Sequence, residues 1–410
     1  MTTIVRHPIV DEPMPVPRRW GDLELSRLRK MTGQASLFYW GGPQTCDLIG
    51  EFIRHYPLKF AFACSSGTAA LHIAIAALRL QPGEEVIVPP ITDMGSVSGI
   101  LFQQGVPVFA DLEPHTYNLD PSSIRAAITS RTRAILVVHL AGNPAAMSEI
   151  CALAREHGLT VIEDCAQAWG ARYSGIPVGC HGDLACYSFN DYKHLSAGDG
   201  GIVATNDTML GPSLGKWGDK SYDRAAAEID PALLRDPADL ATNYRISEPQ
   251  SAIAAAQLTR LREITSGRIR VGERLTVQLR GVPGILVPMR RDNDTHSYWF
   301  YLFRLEEGRF RIGRDAFTAA LRSEGVVASA GYLPKPVYAY RVFQTHNFFG
   351  GHWPVRDFGI TAMDYTRVRC PVAEAILKDS VVLKVNEAMS DGYVDKVAHA
   401  IRTVAMRNLL

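Results

Sequence analysis

Short apolar runs recur through the first half of the chain, and each leads into a longer segment whose apolar positions follow helical spacing. The first run, Phe60-Ala61-Phe62-Ala63, meets the small polar turn Cys64-Ser65-Ser66-Gly67-Thr68 and then an apolar stretch over 69–80 that predicts a helix. Beyond Gln81-Pro82-Gly83, the runs at 86–88, 106–109, 134–138 and 160–162 predict strands, with helices at 95–104, 122–128 and 147–157 between them. Strand and helix in alternation imply an α/β fold, with a mostly parallel sheet covered by helices on both faces. Outside this region the pattern changes. Residues 18–56 read as polar helical pieces broken at Gly41-Gly42-Pro43. Ser247-Glu248-Pro249 opens a helix, and the apolar positions from Ile253 to Leu279 predict one long helix leading to a second domain. That domain is expected to hold strands near 298–305, a helix at 314–324 and a final helix at 391–406.

Length supports this division, because 410 residues exceed what one core ordinarily holds. We expect a large domain over 1–250, a bridging helix over 251–280 and a smaller domain over 281–410, with the N-terminal segment able to pack on the smaller one. A net charge of +1 gives no reason to expect nucleic acid or an anionic membrane as partner. The seven cysteines lack CxxC spacing, which argues against a zinc site or a disulfide framework and fits a reducing cytoplasm. Residues 1–17 carry Asp11, Glu12 and four prolines where a signal peptide would be apolar, and no run is long enough to span a membrane.

Three places carry chemistry. Ser66-Gly67-Thr68 lies between a strand and a helix, so the amides of Gly67 and Thr68 and the neighbouring hydroxyls are placed to receive a phosphate; an ordinary Ser N-cap has the same pattern. Asp164 follows the run 160–162 at the carboxyl end of a strand, where a buried acid needs a cation or donor. Lys193 stands in Tyr187-Ser188-Phe189-Asn190-Asp191-Tyr192-Lys193, ahead of Gly198, Gly200 and Gly201, on a loop after an apolar run. Desolvation of such a lysine lowers its pKa and allows a Schiff base. An anion site, an acid for a pyridine nitrogen and a Schiff-base lysine are together what pyridoxal 5′-phosphate requires.

The chain resembles the DegT/DnrJ/EryC1/StrS family of sugar aminotransferases dependent on this cofactor. The matching stretches are Ser65-Ser66-Gly67-Thr68-Ala69-Ala70-Leu71, Pro82-Gly83-Glu84-Glu85-Val86-Ile87-Val88-Pro89, Val138-His139-Leu140-Ala141-Gly142-Asn143-Pro144, Ile162-Glu163-Asp164-Cys165-Ala166-Gln167-Ala168, Tyr187-Ser188-Phe189 before Lys193, and Asn243-Tyr244-Arg245. The resemblance implies a type I fold with a mostly parallel seven-stranded sheet and a smaller α/β domain. It also implies an aminotransferase moving an amino group from glutamate or glutamine to a keto sugar or keto cyclitol. By it, Lys193 is the Schiff-base lysine, Asp164 pairs with the pyridine nitrogen, Gln167 contacts the ring, and Ser66, Gly67, Thr68 and Ser188 hold the phosphate. Family members are homodimers with shared sites, and Asn243 falls where an asparagine reaches the neighbouring subunit's phosphate.

Two departures bear on substrate class. Pro89-Pro90-Ile91-Thr92 runs into Asp93-Met94 where the family places a ring-stacking aromatic, so Met94 is a candidate cover for the ring and Asp93 a candidate substrate contact. Trp169 stands where many relatives have histidine. Lys216, Trp217, Asp219, Lys220, Tyr222, Tyr332 and Lys335 are further candidate substrate contacts, with a solvated loop as the plainer reading of those between 206 and 242. The rivals are another reaction of the same cofactor, such as dehydration, decarboxylation or oxidation, and a non-catalytic binding protein. Retention of Lys193 and Asp164 argues against the second.

Overall fold

A computed structural model of the chain describes residues 7–234 and 236–410, so Met1 to Arg6 of the proline-rich start lie outside the described residues. In chain order the large sheet draws on β1 (Phe60–Cys64), β2 (Glu85–Val88), β3 (Val106–Phe109), β4 (Thr132–Val138) and β5 (Thr160–Asp164). A short hairpin, β6 (Arg172–Tyr173) and β7 (Ile176–Pro177), precedes β8 (Leu184–Ser188) and β9 (Gly201–Thr205). Seven of these nine strands form one sheet in the order β1-β9-β8-β5-β4-β2-β3. The pairs β2–β3, β2–β4, β4–β5 and β5–β8 are parallel, while β9 runs against both β8 and β1. The carboxyl ends of β1, β5 and β8 therefore meet the start of β9 at one edge, where open α/β sheets bind ligands.

The runs that predicted strands are buried almost throughout, as a sheet covered on both faces requires. Helix Gly67–Ala77, apolar on nearly every side, lies in the middle of this core. The smaller sheet has β10 (Ile285–Leu286), β11 (Phe300–Leu305), β12 (Ala328–Ala330) and β13 (Ser380–Lys384), in the order β10-β11-β13-β12 with every pair antiparallel. Helices Leu261–Leu279, Arg314–Ser323 and Asp391–Asn408 join it in a second core. Val10 is buried in that core, and its N–H donates to the Glu324 carbonyl.

One expectation is corrected. The long helix predicted from Ile253 to Leu279 is two, Glu248–Thr259 and Leu261–Leu279, separated at Arg260. The first buries several faces against helices Asp22–Met31 and Pro43–His55, whereas the second is amphipathic and serves both cores, so the chain re-aims between them. Part of 281–410 lies against the large sheet. Between β12 and β13 the aromatic segment around Tyr338, Phe343 and Tyr365 packs on Phe109 of β3, and Tyr365 Oη donates to the Pro107 carbonyl. The open edge of the large sheet is thereby covered by chain drawn from the C-terminal third.

Candidate active site

The carboxyl-end edge of the sheet encloses a cavity of about 360 Å³ lined by Ser66, Gly67, Thr68, Asp93, Ser96, Asp164, Gln167, Ser188, Asn190, Lys193 and Asp199, among others. Its floor begins at the turn after β1. Ser66 Oγ caps the helix by accepting the Ala69 N–H, which leaves the amides of Gly67 and Thr68 without an acceptor among the described residues. A Cβ at Gly67 would come within 2.7 Å of Ser188 Cβ, so only glycine lets the helix start close against β8.

Asp164 is the last residue of β5 and 4% exposed. Ser96 Oγ donates to its Oδ2 (2.7 Å) and the Ala166 N–H to its Oδ1 (3.0 Å). Thr92 Oγ1 lies 2.6 Å from Ser96 Oγ and, with that proton committed to Asp164, is the donor of the pair. Burial holds the Asp164 pKa above the ordinary carboxylate value, against the lowering effect of those two bonds and of Lys193. Gln167 is fixed in orientation: its Oε1 accepts the Ala141 N–H (2.9 Å), so its Nε2 faces Tyr332 Oη at 3.4 Å.

Lys193 sits on a loop folded upon itself by small polar side chains. Ser188 Oγ accepts the Asn190 N–H, Asn190 Oδ1 accepts the Tyr192 N–H, and Ser196 Oγ donates to Asp191 and accepts the Gly198 N–H. Arg19, from the N-terminal segment, donates to the carbonyls of Asp191 and Lys193. Desolvation draws the Lys193 pKa below that of a free lysine, and Asp164 and Asp93 pull the other way.

The other expected residues are placed differently. Met94 is half-buried and packs on the large core, and Asp93 occupies the cavity wall in its stead, its Oδ1 accepting the Gly95 N–H. A thioether prefers the apolar side of that turn. Trp169 lies wholly buried behind the site among Tyr187 and Phe189, and its Nε1 donates to the Ser188 carbonyl (2.8 Å). Asn243 is exposed on a loop outside this chain's cavity. Asp219 is neither solvated nor open to substrate: buried, it accepts bonds from Tyr39 Oη, Arg224 and Arg245. Lys216 pairs with Asp223, Lys220 lies over the Tyr222 ring, and Lys335 is exposed. Ser96, Asn190, Asp199 and Arg19 are further lining or supporting residues, and of these only Asn190 and Asp199 carry a signal in the sequence, lying in the loop around Lys193.

His139, Glu163 and Cys165 lie within metal-binding reach of one another behind the sheet. The Ala145 N–H donates to His139 Nδ1, so Nε2 carries the proton and donates to Glu163. No imidazole lone pair remains for an ion.

A profile of the DegT/DnrJ/EryC1/StrS aminotransferase family matches residues 23–402. The chain belongs to this family. It is 35% identical over 389 residues to the UDP-N-acetyl-3-dehydro-alpha-D-glucosamine 3-aminotransferase of Acidithiobacillus ferrooxidans, covering 92% of each protein. It is also 35% identical over 304 residues to the GDP-perosamine synthase of Caulobacter vibrioides, covering 71% of this chain and 80% of that one. Among solved structures, the aminotransferase from Psychrobacter cryohalolentis superposes with a TM-score of 0.86 at 28% identity, covering 97% of this chain and all of that one. The protein is thus a DegT-family aminotransferase dependent on pyridoxal 5′-phosphate. Its cavity fits that cofactor: unpartnered amides at a helix start suit the phosphate, a buried and half-satisfied acid suits the pyridinium, and a desolvated lysine suits the aldehyde.

Proposed function

We propose that this DegT-family enzyme moves an amino group from glutamate or glutamine to the carbonyl of a keto sugar or keto cyclitol, in the making of an amino sugar, an antibiotic or another secondary metabolite. The observation that carries this reading is the gathering of Lys193, Asp164 and the free amides of Gly67 and Thr68 around one cavity. Bound in it, the cofactor supplies an electron sink that makes an amino acid's Cα proton removable. Asp164 would hold the proton on the ring nitrogen, its carboxylate fixed by Ser96 and the Ala166 amide. Gly67, Thr68, Ser66 and Ser188 hold the phosphate, while Gln167, locked by Ala141, borders the ring. Lys193, once free, would take up the Cα proton and later give a proton back, which requires a neutral amine for the first act and an ammonium for the second. Desolvation favours the neutral amine, and Asp164 and Asp93 favour the ammonium. The relatives named for UDP- and GDP-linked sugars favour a sugar acceptor.

We further propose a homodimer in which the exposed Asn243 reaches the neighbouring copy's phosphate, and residence in the cytoplasm, where seven free thiols persist. We take 1–250 as the cofactor-binding unit, with 331–377 added to it.

The test is the absorbance of holoenzyme before and after L-glutamate or L-glutamine, with Lys193→Ala as control. The aldehyde form of the cofactor should give way to the amine form in the wild type, and Lys193→Ala should show no turnover. A spectrum unmoved by either donor would transfer the enzyme to another amino donor or another reaction of the same cofactor.

A further inference from the structure

Trp299 touches the reactive lysine without belonging to the cofactor cradle. Lys193 Nζ lies 3.9 Å from the centroid of the Trp299 ring, well inside the roughly 6 Å over which a cation above an indole face is attracted. The ring is fixed against the lysine's own loop, because its Nε1 donates to the carbonyl of Tyr192 (2.6 Å), the residue before Lys193. Its backbone is tied on both sides: the Trp299 N–H donates to the Ala141 carbonyl (2.8 Å), and the Trp299 carbonyl accepts from Arg268 Nη1 (3.3 Å). Tyr332 meets it edge-on at 5.8 Å, and Phe300 lies tilted against it at 5.1 Å. Ring and lysine therefore keep their register if the loop shifts.

We propose that Trp299 is a positioning residue whose ring face holds the Lys193 ammonium between the uptake of a proton and its return, keeping Nζ in the cavity. The inference rests on the role proposed above for Lys193. A desolvated lysine released from a covalent bond otherwise sheds its proton or swings into solvent. The charged groups facing it act unequally. Asp164, Asp93 and Asp199 line the cavity, and the first two favour the proton. Arg19 reaches Lys193 only at its carbonyl, and burial keeps the neighbouring His194 neutral, with Nε2 near the Ser297 carbonyl and Nδ1 without a partner among the described residues. A carboxylate in direct contact would clamp Nζ in a directional bond. An indole face attracts the ammonium without directional bonds, so the amine can leave the ring when a carbonyl carbon arrives.

The test reads the lysine directly in full-length protein stripped of cofactor. Trace acetic anhydride acetylates only the neutral amine, forming the amide and releasing acetate and a proton. Mass spectrometry then gives the acetylation of Lys193 against pH, with the exposed Lys30 and Lys59 as internal standards. In Trp299→Leu the half-point should fall, making Lys193 roughly 3- to 10-fold more reactive at a fixed pH below it. Trp299→Phe should restore most of the difference. A raised plateau with an unmoved half-point would mean that the ring merely covers the lysine, and would overturn the proposal. Should the leucine variant not fold, fluorinated tryptophan incorporated throughout weakens the ring face at nearly constant shape, and the half-point should step down with each added fluorine. No step down would overturn it equally. No amino donor enters this measurement, so a failure to transaminate and an unmoved half-point are separate results.

Discussion

Glu163 and Asp164 are consecutive on β5 and both buried, yet strand alternation sends them to opposite sides of the sheet and into opposite conditions. Behind the sheet, Glu163 accepts from His139 Nε2 (3.0 Å) and from the amides of Gly179 (2.7 Å), His181 (2.8 Å) and Gly182 (2.6 Å). A carboxylate accepts about four bonds, so Glu163 is full. In front, Asp164 has two donors and an open cavity. Burial pushes both pKa values up. The His139 bond and the loop amides carry Glu163 back below its ordinary value, whereas Asp164 stays above its own. A buried acid whose bonds are complete builds architecture, here the turn at 179–182. A buried acid left short of donors beside a cavity awaits a cation from outside the chain.

Exchanging each acid for its amide tests this contrast most strongly. Asp164→Asn leaves the fold intact and should cut amino transfer by roughly 10²- to 10³-fold even at saturating cofactor. Near-normal turnover would remove Asp164 from the chemistry. Glu163→Gln turns an amide N–H₂ toward backbone donors and should cost about 3 kcal/mol of stability by denaturant titration, with turnover per folded molecule little changed. If instead Glu163→Gln lost activity at full stability, the two faces of β5 would not be separate.

The pH dependence sharpens the contrast in cofactor-free protein. For Asp164, whose folded pKa is raised, the stabilising contribution is present below the unfolded value of about 3.9 and is lost as pH rises through the folded pKa. Asp164→Asn should therefore melt higher than wild type at neutral pH, by about 2 °C, and lose that advantage in acid. For Glu163, whose folded pKa is lowered, the contribution is present above about 4.3 and is lost as pH falls through the folded pKa. The deficit of Glu163→Gln should be full at neutral pH and shrink in acid. Melting curves that failed to move in opposite directions would mean that the two carboxylates share one environment. Added pyridoxal 5′-phosphate should reverse the sign for Asp164→Asn alone.

The same contrast explains what could be read from the sequence. The turn after β1, the acid ending β5 and the lysine after β8 were legible because each lies where a strand stops and a small polar turn begins, a local pattern. Asp164 and Glu163 were distinguishable only through partners 68 and 24 residues upstream, and nothing local in Ser96 or His139 announces either bond. Trp299 was equally silent, since it reaches Lys193 from the entry to β11. Nothing local near Tyr338 and Tyr365 announced that β3 would be the destination of that segment. Near Arg260, apolar spacing ran on through a change of direction that only the two cores impose.

Ser96 gives the smallest effect and the finest test, because it decides whether the shortage of donors at Asp164 is itself tuned. Ser96→Ala leaves Asp164 with the Ala166 amide alone and Thr92 Oγ1 without its acceptor. Loss of one bond to a buried carboxylate should cost about 1 kcal/mol, and the Asp164 pKa should rise further because that bond lowers it. An incoming pyridinium would then meet an acid that is less well oriented and more readily protonated. Cofactor affinity, measured by fluorescence titration, should weaken about 5-fold, and the loss should grow as pH falls. Loss independent of pH would make Ser96 a packing residue of the Thr92 turn. Unchanged affinity would mean that the Ala166 amide alone orients Asp164, so that one donor fewer is as good a preparation for the cofactor as two.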